Sequence, residues 1–201
     1  YLKVTLLAYT VVTPEAVEKM ERQETSTDAE HLTTLSGRLC YDSFHRPNPD
    51  TRDDRDYIRS TVVEKKHFSI VEHSSATFLI EDVSRNLTHE LTRHRHLSFS
   101  QRSQRYCDEG NTNFVVPPAL SCEEWGDELK NIAVDLQDTY KDLVDYLVGV
   151  KGYKRKQARE AARYILPSGT STSIVVTGNH RAWYELLEKR LSPQAAAEFQ
   201  A

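Results

Sequence analysis

Glycine is scarce in this chain of 201 residues: seven in all, scattered, with no GxGxxG run and no GKS or GKT loop. That excludes the common glycine-rich turns by which a backbone cradles phosphates. Three cysteines (Cys40, Cys107, Cys122), widely spaced and odd in number, make neither a CxxC pair nor a disulfide framework. Free thiols in a reducing cytoplasm are therefore expected. No apolar run approaches the ~20 residues of a membrane span. Leu2 to Val12 is the nearest thing to a signal-peptide core, but only Lys3 flanks it and no small-residue cleavage site follows. A net charge of -4 argues against a general nucleic-acid binder, which needs a basic face. There is no internal repeat and no low-complexity linker. The chain opens at Tyr1 without methionine and stops in an alanine-rich stretch, so both natural ends are expected to lie beyond it.

What is present fits one globular domain over 1–201, with 38% hydrophobic and 28% charged residues. Val4 to Val12 is β-rich, and Ser75 to Glu81 and Ser171 to Thr177 read as further strands. Thr27 to Cys40 has helical spacing at Ala29, Leu32, Leu35, Leu39 and Cys40. Asp53 to Lys66 reads as a charged helix with Tyr57, Ile58, Thr61 and Val62 inward, and Val83 to Arg95 as another. The longest helix is expected over Ser121 to Val150, with a capping box of Ser121 and Glu124 and an apolar stripe from Trp125 to Leu147. A helix from Lys154 to Tyr164 follows. Asn179 caps a last one through Leu191. Without a βαβ rhythm the expected class is α+β: a central, mostly antiparallel sheet flanked by helices, with a long helical insertion at about 121–164.

The concentration of chemistry is Arg93-His94-Arg95-His96-Leu97-Ser98-Phe99-Ser100-Gln101-Arg102-Ser103-Gln104-Arg105-Tyr106. Four arginines and two histidines fall in fourteen residues with no Asp or Glu among them, in a chain acidic overall. An unpaired cationic run interleaved with Ser and Gln suits anionic oxygens and amide edges. From Ser98 the period-two pattern predicts an extended strand with Gln101, Ser103 and Arg105 on one face, an amide, a hydroxyl and a guanidinium able to grip a nucleotide. A polar edge strand with surface arginines explains the composition equally well. Two rival functions stand beside it: a different nucleotide-processing enzyme reusing the same strand, and a nucleic-acid module placing the same arginines on phosphates. His67 with His73, or His94 with His96, lacks a completing ligand, and Arg93 and Arg95 would repel a cation, so no metal site is expected. His31, His45 and His89 are expected at the surface or in caps, and the basic run from Lys151 to Arg159 on a solvated helix face. Trp125 and Trp183 are expected to pack.

Arg93-His94-Arg95, seven residues, then Ser103 resembles the hallmark motif of flavin-dependent thymidylate synthases. Ser98 and Arg105-Tyr106 extend the match. Upstream, His67-Phe68-Ser69-Ile70-Val71-Glu72-His73 is similar to the family's segment before the flavin-side strand. Downstream, Ala162-Arg163-Tyr164-Ile165-Leu166-Pro167 and then Asn179-His180-Arg181 with Arg190 resemble its later elements. The departures are Ser100, Gln101, Glu90, Glu185 and Gln194, where other members carry different polar residues.

The resemblance implies an FAD enzyme that methylates dUMP, with NADPH and methylenetetrahydrofolate as co-substrates, acting as a cytoplasmic homotetramer whose sites are shared between subunits. It implies neither a nucleic-acid nor a membrane partner. FAD contacts are implied for Ser69, Arg93, His94, Arg95, Gln101, Asn179, Arg181 and Glu185, and dUMP contacts for Glu90, Arg93, Gln101, Ser103, Arg105, Arg163 and Arg190. Arg190 would be catalytic, stabilising charge on the pyrimidine. No protein nucleophile is implied, and no Pro-Cys-His element is present. With no glycine-rich turn, the flavin would be held by side chains.

Overall fold

Residues 2–200 are described by a computed structural model. Strand β1 (Lys3–Tyr9) leads to helices α1 (Pro14–Lys19), α2 (Asp28–Leu39) and α3 (Asp54–Ile58), the last continuing as a π-helical segment, Arg59–Glu64. Then come β2 (Ser75–Ser84), α4 (Arg85–Leu91), β3 (Ser98–Gln101), α5 (Glu124–Gly149), α6 (Arg155–Ala162), β4 (Ser171–Asn179) and α7 (His180–Arg190). The strands form one antiparallel sheet in the order β1-β2-β4-β3, an α+β fold with the α5–α6 hairpin inserted between β3 and β4. No helix among the described residues is long and apolar enough to cross a membrane.

Alternation decides which sheet face is covered. Ala76, Phe78 and Ile80 of β2 stand opposite Gly178, Val176 and Ile174 of β4, and α4 and α7 cover this face. Val83, Leu87, Leu91, Leu97, Ile174, Val176, Ala182 and Leu186 form the resulting core. A bulge between Ile80 and Val83, with Asp82 at φ 57°, bends β2 so that Ser84 caps α4 by accepting from Leu87 N. A second cluster joins Tyr57, Val62, Ile70 and Val71; a third pins α5 to α6 through Tyr140, Val144, Ala158 and Ala162.

Several expected details differ. In α2, Thr27 and Glu30 make a capping box, but the predicted stripe is only part of the inward face: Ala29, Leu32 and Leu35 are half-buried, His31, Thr33, Thr34, Gly37 and Arg38 are buried, and Leu39 and Cys40 are exposed. His31 therefore moves from expected surface to interior, on a helix that packs on α3 through Gly37 and Arg38 against the Tyr57 ring. At α5, Ser121 does not cap. Its hydroxyl donates to Pro118 O, and Glu123 occupies the cap position without a side-chain bond. Trp125 is exposed, since Gly126, Ala133, Tyr140 and Val144 take the inner face. Trp183 does pack, edge-on to Phe78, with Nε1 donating to Ala76 O.

Candidate active site

The first part of the cationic run, residues 92–96, is bracketed by leucines. Leu91 closes α4 and Leu97 enters the core, so the residues between are turned outward. Backbone bonds from His94 N to Leu91 O and from Leu97 N to His94 O hold this loop. Leu97 lies over Gly178, where a Cβ would come within 2.2 Å of its Cδ2. The loop faces α7, whose N-cap Asn179 accepts from Ala182 N.

Between loop and helix lies a cleft of about 340 Å³ lined by Arg93, His94, Arg95, Lys189 and Arg190 among others. An adjoining hollow of about 270 Å³ is lined by Glu72, His96, Asn179, Arg181, Ala182 and Glu185. Arg93 and Arg95 are exposed, and neither forms an ion pair among the described residues. Two free guanidiniums on one short loop fit a diphosphate, which asks for two or more charged donors. Arg181, by contrast, is held between Glu72 at 2.5 Å and Glu185 at 3.1 Å. Ser69 is exposed, in the turn before β2.

Arg190 is tightly engaged. Its Nε donates to His94 Nε2 at 3.0 Å, its Nη1 to Glu90 Oε2 at 2.6 Å and its Nη2 to Glu90 O at 3.1 Å. Accepting at Nε2 requires an unprotonated nitrogen there, so His94 is neutral with its proton on Nδ1. Burial first, then the charges of Arg190 and Lys189, push its pKa below the usual histidine value.

A second cluster forms beyond β3. The predicted strand through Arg105 stops at Gln101. Ser103 O instead accepts from Tyr106 N and Cys107 N, and this turn takes Ser103 and Arg105 off the face they would have shared with Gln101. Gln101 points inward, donating to Thr88 Oγ1 at 2.9 Å. Arg105 pairs with Glu160 of α6 at 2.8 Å. The carboxylates missing from the run thus arrive from elsewhere: Glu160 here, and the fully buried Glu109 on Arg102 at 2.7 Å. Arg163, in the turn after α6, shares this region with Arg85, whose pKa is lowered mainly by burial and also by the charges of Arg102 and Arg163. Among the described residues no hydrogen bond or ion pair links Arg93, Arg95 or Arg190 to Ser103, Arg105 or Arg163.

Several participants escaped the sequence reading. Lys189 lines the first cleft, and its only signal was adjacency to Arg190. Lys156 and Arg159 are not simply solvated. Lys156 lies 4.6 Å from the Tyr106 ring centroid, and Arg159 donates to Tyr106 O at 2.6 Å. Nothing local in the sequence couples positions about fifty apart. A larger cavity of about 990 Å³, between α5 and residues 110–118, contains none of the predicted residues, and its Lys130 and Lys141 are each paired with an aspartate of α5. No group of three or more His, Cys, Asp or Glu among the described residues is placed to hold a metal.

Comparison with known proteins shows the family and the fold. Residues 23–201 match the family model described as "Thymidylate synthase complementing protein". A probable flavin-dependent thymidylate synthase of Mycobacterium phage D29 is 44% identical over 206 residues, covering 98% of this chain and 86% of that protein. The flavin-dependent thymidylate synthase of Mycobacteroides abscessus is 44% identical over 183 residues, 86% of this chain and 73% of that one. In fold, the chain is similar to a crystal structure of thymidylate synthase X from Helicobacter pylori with FAD and dUMP. That likeness has a TM-score of 0.69 at 21% identity, over 100% of this chain and 88% of that one. A cationic loop facing α7, an antiparallel sheet interrupted by a helical hairpin, and relatives matched along most of their length lead to one conclusion: this chain belongs to the flavin-dependent thymidylate synthase family.

Proposed function

We propose that the chain converts dUMP to dTMP, taking carbon from methylenetetrahydrofolate and hydride from NADPH through bound FAD, as a cytoplasmic homotetramer. The observation that carries this reading is the pair of free guanidiniums, Arg93 and Arg95, on a loop that also bears neutral His94 and faces Arg190. Bound FAD would supply the hydride transfer that no side chain can perform. Arg93 and Arg95 hold its diphosphate by charge-assisted bonds, with Ser69 and Asn179 adding neutral ones. His94, protonated at Nδ1, donates a hydrogen bond without adding charge. Arg181 lines the adjoining hollow with Glu72 and Glu185 as its counter-ions, while Gln101 keeps its inward bonds and presents its remaining amide atoms.

Ser103, Arg105 and Arg163 bind dUMP, the guanidiniums on the phosphate and the hydroxyl on a polar edge. Glu90 and Arg190 face the pyrimidine. There Arg190 stabilises negative charge as C5 becomes nucleophilic, which a fixed cation does without moving a proton. Three cysteines stand free, Cys40 and Cys122 exposed and Cys107 half-buried, and the mechanism uses none of them.

Because the two clusters are unlinked within one chain, we assign each complete site to more than one subunit. Exposed Val4, Leu6 and Tyr9 on edge strand β1, and an apolar groove of about 310 Å³ containing Phe78, Trp183 and Leu187, support contact with further copies.

Tritium release from [5-³H]dUMP tests the reaction. We expect release that requires FAD, NADPH and methylenetetrahydrofolate together, and loss when any one is omitted. Folded, flavin-saturated protein that releases no tritium would overturn the assignment. So would a protein that binds no flavin but binds DNA or RNA with a steep salt dependence, in favour of a nucleic-acid module.

A further inference from the structure

Arg190 is fixed by more than Glu90 and His94. The ring centroid of Phe199 lies 4.7 Å from its Cζ, so an aromatic face covers one side of the guanidinium. Three of the group's N–H bonds are spent on Glu90 and His94. Of the five such donors on an arginine, two remain for another partner.

The neighbouring Glu198 works at the far end of the same assembly. Its Oε1 accepts from Ser84 N at 2.7 Å and its Oε2 from Ser84 Oγ. Ser84 caps α4, and Glu90, which holds Arg190, lies near the other end of that seven-residue helix. The turn bearing both residues is itself closed, by Phe199 N on Ala196 O at 2.9 Å and Gln200 Nε2 on Ser192 O at 2.8 Å. One short turn therefore touches the cation directly and also braces the helix that supplies the cation's counter-ion.

We infer that Phe199 and Glu198 are positioning residues for Arg190: Phe199 sets the plane of the guanidinium, and Glu198 sets the axial position of α4 and with it Glu90. The inference rests on the reading of Arg190 as the group that faces the pyrimidine. A planar cation stabilises developing charge only if its free N–H bonds are aimed before the charge appears, and a stacked aromatic face restrains that aim without competing for a donor. Neither residue touches substrate or flavin in this assignment.

The test compares Phe199→Leu, which keeps apolar volume and loses the ring face, with Phe199→Tyr, which keeps the face. Holoenzyme of each is assayed for turnover, for dUMP affinity by calorimetry, for flavin content and for melting temperature. The expected result is a drop of about tenfold in kcat for Phe199→Leu. We expect its dUMP affinity to stay within about twofold, its flavin content to be unchanged, and turnover to be restored in Phe199→Tyr. Glu198→Ala should speed hydrogen exchange of the α4 amides and lower kcat in the same direction.

Wild-type turnover in Phe199→Leu overturns the inference. So does a parallel fall of kcat, dUMP affinity and melting temperature, which would mark Phe199 as a core plug. Arg190→Ala is measured alongside. If it turns over normally, the reading of Arg190 fails and the positioning argument fails with it. If it is disabled while Phe199→Leu is not, only the positioning argument fails.

Discussion

At the scale of single residues, two half-buried histidines make the fold acid-sensitive. His180 lies at the start of α7 with Nδ1 2.9 Å from Ser74 Oγ, and burial pushes its pKa below the ordinary value. His94 is shifted the same way. A depressed pKa means that below about pH 6.5 the unfolded chain binds a proton that the native chain resists. The stability contribution is thus complete above that pH and is lost as pH falls through the folded-state value. We expect the urea midpoint to drop between about pH 7.5 and 5.5, and His180→Asn to reduce that drop. An unchanged pH difference in the variant would refute the assignment. His31 shows why such residues were illegible: its apolar neighbours Ala29, Leu32 and Leu35 carried the local pattern, while the fully buried positions are the polar His31, Thr34 and Arg38.

At the scale of elements, most helices and strands were readable because their periodicities are carried by many residues, as in β4, where buried and half-buried positions alternate along the strand. Boundaries set by one competing hydrogen bond were not. Ser121 was claimed by Pro118 O, and β3 ended where Ser103 O closed a turn. The motif's residue types signalled its chemistry, but the carboxylates that neutralise part of it, Glu109 and Glu160, belong to other segments and gave no local signal. Gly178 tests how the sheet positions the loop. Opposite Ala76 and directly beneath Leu97, it leaves no room for a methyl group. Gly178→Ala should push Leu97 out of its seat, costing roughly 1–3 kcal/mol. It should also weaken flavin retention by displacing Arg93 and Arg95. Denaturant unfolding with flavin content after gel filtration would show this, and a variant of unchanged stability and flavin content would contradict it.

For the whole molecule, β3 separates the two cationic clusters. At about 3.3 Å per residue, Leu97 and Arg102 lie roughly 17 Å apart along it. If sites are composed from different subunits, two disabled chains can repair each other. Arg190→Ala and Arg105→Ala, each inactive alone, should regain a measurable fraction of wild-type tritium release when co-expressed and copurified as mixed oligomers. Activity no higher than either parent would mean that each chain builds its own site. Such sharing would have no local signature in the sequence and is implied there only by the family resemblance, because a residue's own chain gives no sign of what a second copy presents to it.

The bond from Glu198 to Ser84 also bears on how the chain reaches this state. It joins residues 114 positions apart, so on a ribosome α4 emerges with its local Ser84 cap but without the brace on that cap, and stays so until residue 198 has been made and has docked. Contacts of such separation form late, after the cost of closing a long loop has been met. The helix that carries Glu90 should therefore be among the last parts to become protected during synthesis, leaving the cationic loop unformed while most of the sheet's strands already exist.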